Sequence, residues 1–86
     1  MIIKFHKNFE KRYRKLLSKQ KQSFKEKIKI LLEDEFNPVL NSHPLRGKYS
    51  GYRSINVSGD LRAIYKRETK GNVVFVTIDK HSNLYK

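Results

Sequence analysis

With 86 residues, 37% of them hydrophobic and none of them cysteine, the chain has room for one modest core and excludes a disulfide framework or a thiolate metal centre to support it. Its 20 Lys and Arg against 8 Asp and Glu give a net charge of +12, a balance that repels itself and attracts a polyanion or an acidic protein. No apolar run approaches the roughly 20 residues that span a bilayer, and charges begin too early for a signal peptide, so a cytoplasmic protein with no membrane partner is expected.

Residues 1–5 alternate weakly and suit a short edge strand. Phe9, Tyr13, Leu16 and Leu17 then fall at helical spacing on one face, and Phe24, Ile28, Leu31 and Leu32 repeat that spacing after a short polar link at residues 18–22. The pattern predicts an antiparallel helical hairpin. Asn37-Pro38 ends its second arm, because proline lacks an amide donor and disfavours helical geometry in the residue before it.

Residues 52–57, 61–67 and 73–78 are rich in β-branched and aromatic side chains and are separated by Ser58-Gly59-Asp60 and Thr69-Lys70-Gly71-Asn72, as in an antiparallel meander. The last run is apolar on both faces and should be central, whereas Arg53, Ile55 and Val57 alternate with Tyr52, Ser54 and Asn56, the mark of a half-open strand. Without an internal repeat, linker or low-complexity tract, the expectation is a single α+β domain over residues 1–86. Its uncovered sheet face is where a ligand would sit.

Cutting RNA without a metal requires a base for the 2′-hydroxyl proton, an acid for the leaving 5′-oxygen and a cation for the phosphoryl oxygens. His43 and His81 titrate near neutrality, Asp60 can accept a proton or orient a histidine, and Arg46, Arg53 and Arg62 can grip phosphate in a bidentate way. Tyr49, Tyr52 and Tyr85 can stack on unpaired bases. Plainer readings stand beside these: His43 before proline as a turn residue, Asp60 after glycine as a turn residue, and Tyr52 and Tyr65 as core. An arginine at position 62 among aliphatic neighbours is costly to bury and so is less easily dismissed. Histidines at 6, 43 and 81 show none of the close ligand spacings of a zinc centre, and the chain has no phosphate-binding glycine loop, no GxSxG elbow and no cysteine nucleophile. Neither a metal nor a cofactor is expected.

Taken together, His43-Pro44-Leu45-x-Gly47 with Gly51-Tyr52-Arg53, Asp60 followed by Ile64-Tyr65-Lys66, and His81 with Leu84-Tyr85 form a set that resembles the RelE/ParE superfamily of bacterial toxins. The chain is most similar to the YafQ-like branch of messenger-RNA interferases, whose pattern is HPLxG, GYR, a PDW turn, IYK and a terminal histidine followed by LF. The resemblance covers nearly the whole chain. It implies a RelE-like fold, with an N-terminal strand and a helical hairpin packed on a twisted antiparallel sheet. It also implies a type II toxin that enters the ribosome, cleaves messenger RNA and inhibits translation, silenced by a cognate acidic antitoxin through whose complex alone it would meet DNA.

On that resemblance His43, Asp60 and His81 match positions tied to catalysis, and Tyr85 matches a C-terminal aromatic near the substrate. Arg62 matches the arginine that RelE-like members place on the phosphate. Arg46, Lys48, Tyr49, Arg53 and Asn56 are the expected RNA contacts. Two positions depart from the pattern: Asn56 stands where a further histidine is found, and Leu61 where the tryptophan follows the aspartate. Proton transfer then rests on fewer titrating groups, and Asn56 is left to hold a phosphate or base edge by hydrogen bonding. Two other functions are compatible with the same residues: a ParE-like toxin that inhibits DNA gyrase without cutting nucleic acid, and a non-catalytic RNA-binding module.

Overall fold

The computed structural model describes residues 1–84, the side chain of Lys70 excepted, so Tyr85 lies outside the described residues. Its elements are β1 (Ile3–Phe5), α1 (Lys7–Arg14), α2 (Ser18–Glu33), β2 (His43–Pro44), β3 (Arg53–Ser58), β4 (Leu61–Arg67), β5 (Val73–Lys80) and α3 (His81–Leu84). Single 3-10 turns occupy Pro38–Leu40, Gly47–Tyr49 and Thr69–Gly71. The strands form one sheet in the order β1-β5-β4-β3-β2. β1 runs parallel to β5, and the other pairs are antiparallel. No helix of the described residues is long and apolar enough to cross a membrane.

The expected alternation in β3 is observed: Ile55 and Val57 are buried against the helices, while Ser54 and Asn56 point to the opposite face. β4 continues it, with Leu61, Ala63 and Tyr65 on the helix side and Arg62, Ile64 and Lys66 on the other. β5 carries an extra residue opposite the Ile64–Tyr65 step, a bulge that leaves Val76 and Thr77 both on the side away from the helices. Aromatic rings pack between the two layers, Phe9 to Phe75 at 5.7 Å and Phe24 to Phe75 at 5.4 Å between centroids, and within each, Phe9 to Phe24 and Tyr65 to Phe75 both at 5.2 Å. These rings bury large apolar areas between the helices and the sheet.

The helical hairpin differs from the sequence expectation at its link. α1 stops at Arg14 and α2 starts at Ser18, so the link is the segment 15–17 and the polar residues 18–22 belong to the second helix. Leu17 is 71% exposed instead of sharing a buried face with Phe9. The cause is local: the Leu17 N–H donates to Gln20 Oε1 at 2.9 Å, satisfying an orphan donor at the helix start that no Ser, Thr or Asp provides for. At the entry to α1 the His6 ring does comparable work, its Nδ1 accepting from the Asn8 N–H at 3.0 Å. His6 is therefore a helix cap.

Tyr65 is fully buried, as its core reading requires, and its hydroxyl donates to Glu35 Oε2 at 2.8 Å. Ser42 Oγ lies 3.2 Å from the same hydroxyl, and Arg67 pairs with Glu35. Burial pushes the Tyr65 phenol up, with Ser42 opposing and Glu35 reinforcing the rise. The phenol thus stays a donor and ties β4 to the end of α2.

Candidate functional site

The face of the sheet turned away from α1 and α2 has its own small cluster, Leu45, Ile64 and Leu84, with Tyr49, Tyr52 and Val76 packed against it. α3 and the segment 45–52 therefore frame this face without closing it. Across it, register places Asn56 beside Arg62 and Arg62 beside Asp79 in one row, and His43 beside Ser54 and Ser54 beside Ile64 in another. Two interstrand spacings and two residues along the strand separate His43 from Arg62 by roughly 12 Å at Cα.

The densest chemistry lies where the β3–β4 turn meets the end of β5. Gly59 adopts φ +47°, the left-handed region that a hairpin turn needs and that a side chain resists, and it lets Asp60 swing toward α3. The His81 N–H donates to the Asp60 carbonyl at 2.8 Å, and Ser82 Oγ approaches Asp60 Oδ2 at 3.5 Å. Two residues that are 21 apart in the sequence are thus held side by side. Arg62 is half-buried next to them, its Nη1 donating to the Gly59 carbonyl at 2.7 Å and the Leu61 carbonyl at 3.1 Å.

Asp79 is the residue that sequence reasoning passed over, since a carboxylate near a strand end reads as surface. Its Oδ1 accepts from the Lys80 N–H at 2.8 Å and from Asn83 Nδ2 at 3.0 Å, and its Oδ2 accepts from Arg12 at 2.7 Å. Partial burial alone would raise this carboxyl; the bonds from Asn83 and Lys80 and the charge of Arg12 outweigh it, and the group is held below the usual carboxylate range. One side chain therefore joins α1, β5 and the helix that begins with His81.

The remaining expected residues divide by strand parity. His43 sits exposed on β2 with Nδ1 2.8 Å from the Asn41 carbonyl, on the same face as Ser54 but remote from Asp60 and His81. Arg46 and Lys48 are exposed on the segment that frames the sheet, and the Lys48 ammonium lies 5.3 Å from the Tyr49 ring centre. Asn56 is on the open face next to Arg62, its Oδ1 buried with no hydrogen-bond partner, as is Ser54 Oγ. Arg53 differs from its expected place with the RNA contacts. It pairs with Tyr65 on the helix side, donates from Nε to Ser42 Oγ at 3.0 Å and lies 5.3 Å from the Phe36 ring centre. Among the described residues no group of three His, Cys, Asp or Glu is arranged to hold a metal ion.

Comparison with known proteins bears on the fold and the family. Solved structures of small bacterial toxins share the fold. The crystal structure of YafQ from E. coli strain BL21(DE3) superposes with a TM-score of 0.76 at 23% identity, covering 98% of this chain and 97% of that one. A YoeB/ParE toxin from Agrobacterium tumefaciens gives 0.79 at 16% identity over 94% and 99%. YafQ in the E. coli DinJ-YafQ toxin-antitoxin complex gives 0.73 at 24% identity over 98% and 96%. These identities speak for the fold, which is the RelE-like one expected. No curated protein sequence matches the chain. The sequence as a whole goes further, since residues 1–86 match the family described as "Bacterial toxin of type II toxin-antitoxin system, YafQ". With its helical hairpin, its five-stranded sheet and a match that runs from the first residue to the last, the chain belongs to the YafQ family of type II toxins.

Proposed function

We propose that this toxin is a ribosome-dependent endoribonuclease that cleaves messenger RNA and thereby stops translation. The observation that carries the reading is the β3–β4 turn, whose backbone holds Asp60 beside His81 and whose Gly59 carbonyl accepts from Arg62. In the reaction a base removes the 2′-hydroxyl proton, the 2′-oxygen attacks the adjacent phosphorus, and the P–O5′ bond breaks as an acid protonates the leaving 5′-oxygen, giving a 2′,3′-cyclic phosphate and a free 5′-hydroxyl. Nη1 of Arg62 is engaged by the turn carbonyls, so the Nε–Nη2 edge is the fork that meets the phosphate as charge builds on it. His81 exchanges a proton and Asp60 sets its position or shares that task. Tyr85 follows directly on α3 in sequence and is assigned to the substrate base. His43, on the far side of the same face, exchanges its proton only with a strand that crosses both rows, and Asn56 offers a hydrogen bond where the family pattern has a histidine.

The partner that silences such a toxin is a cognate acidic antitoxin, in line with the DinJ-YafQ complexes among its structural neighbours. Contact with DNA would come only through that complex, and the site of action is the cytoplasm, where ribosomes and messenger RNA are found. A test is to add purified toxin to translating ribosomes and map transcript ends. Cuts in register with codons are expected, and His81→Gln should slow them at saturating ribosome by roughly 10²- to 10⁴-fold. Intact RNA together with arrested DNA supercoiling would instead establish the gyrase-directed alternative. That alternative draws support from Asn56, which cannot exchange protons at neutral pH.

A further inference from the structure

The open face of the sheet holds a second feature that proton transfer does not use. A cleft of about 620 Å³ lies beyond Ile64, lined by Tyr49, Tyr52, Lys48, Lys66, Thr77 and His6. The two tyrosine rings meet edge to face, with centroids 6.1 Å apart at 76°, and are backed by the buried Leu45, Ile64 and Leu84. Each has an ammonium over it, Lys48 5.3 Å from the Tyr49 centre and Lys66 6.0 Å from the Tyr52 centre. Glu68 also borders the cleft and is turned to Lys4, 3.5 Å from its Nζ.

We infer that this cleft is a subsite for an unpaired nucleotide of single-stranded RNA. That this nucleotide flanks the cut rests on the nuclease reading above; that it binds here does not. A lysine over a half-buried ring at the protein surface is held weakly and can yield its place to a nucleobase, which stacks on the freed π-face while the displaced ammonium pairs with the phosphate of the same nucleotide. Seated rings and mobile cations are the two parts such recognition needs, and stacking of this kind accepts any base. The cleft is also in line with the corner at Asp60: Lys66 and Arg62 share one face of β4, four residues and roughly 13 Å apart. An RNA backbone laid along β4 passes from one cation to the other. The base in the cleft is then a few nucleotides from the phosphate on Arg62, and the toxin takes hold of its substrate away from the bond it cuts.

Fluorescence anisotropy with a short end-labelled oligoadenylate, and with the same strand annealed to its complement, tests the subsite without any cleavage. Tyr52→Leu, which keeps apolar bulk against Ile64, should weaken binding of the single strand roughly 5- to 100-fold, and Tyr52→Phe should leave it near wild type. Lys66→Gln, at an exposed position, should weaken binding and lower the salt slope by roughly one. The inference is overturned if the wild-type chain does not bind the single strand, if the duplex binds equally well, or if Lys66→Gln and a Tyr52→Leu variant of unchanged melting temperature both bind normally. Binding that is sensitive to Tyr52 in a wild-type chain that cuts no RNA on ribosomes would uphold the subsite and remove the nuclease reading. Cleavage with binding indifferent to Tyr52 and Lys66 would do the reverse.

Discussion

Arg62 and Asp79 occupy neighbouring strands, yet chemistry asks different things of them. In the proposed reaction Arg62 presents a planar fork while its Nη1 remains on two backbone carbonyls, so Arg62→Lys should stay folded and lose turnover by at least roughly tenfold in the ribosome cleavage assay, because lysine keeps the charge but not the two-edged geometry. Asp79 acts on stability. Its carboxyl is held below its ordinary value, so the stabilisation it brings is complete above the usual carboxylate pKa of roughly 4 and disappears as pH falls through the lowered folded-state value. Asp79→Asn should accordingly cost roughly 1–2 kcal/mol at pH 7, read from denaturant melts, with the gap to wild type closing in acid. The sequence already contained part of this arrangement. Strand parity separates Arg53 from Asn56, and following it through would have assigned Arg53 to the helix side, where it meets Ser42 and Phe36. Asp79 was not legible, because its three partners come from α1, β5 and α3 and only the tertiary fold brings them together.

Among the elements, periodicity revealed those long enough to show a period. β3, β4 and β5 carry several alternations each and were readable, as was the body of α2 from Phe24 to Leu31. β2, with two residues, and α3, with four, are too short to leave a pattern, although they carry His43 and His81. The start of α2 was missed because Leu17 is no usual capping residue and the bond comes from Gln20 instead. Just beyond α2, one phenol joins Glu35 to the sheet beside the Arg67–Glu35 pair: Tyr65→Phe removes the donor to Glu35 and the contact with Ser42 while preserving the ring against Phe75. It should lower stability by roughly 1–2 kcal/mol without altering nucleic-acid binding, a separation that melting and anisotropy together would check.

For the molecule as a whole, charge sets the terms of encounter. Eleven of the 20 basic residues fall within the first thirty positions, so α1 and α2 carry a dense positive surface that does not overlap the open face of the sheet. Binding to ribosomes should weaken by an order of magnitude or more as salt rises from roughly 50 to 200 mM, reflecting counterions released from phosphates, and a sedimentation assay across that range measures it. The parallel pairing of β1 with β5 bears on how the toxin comes into being. Ile3 is matched with Val73, so the first strand finds its place only after β5, about seventy residues later, has been made. Contacts that distant in sequence form late, and until they do the Phe5 and Phe9 rings lack Phe75 to rest on. The interval before β5 joins β1 is thus the one in which an antitoxin would meet a chain with its hydrophobic layer still open, so completion of the sheet and capture by the partner compete for the same apolar surface.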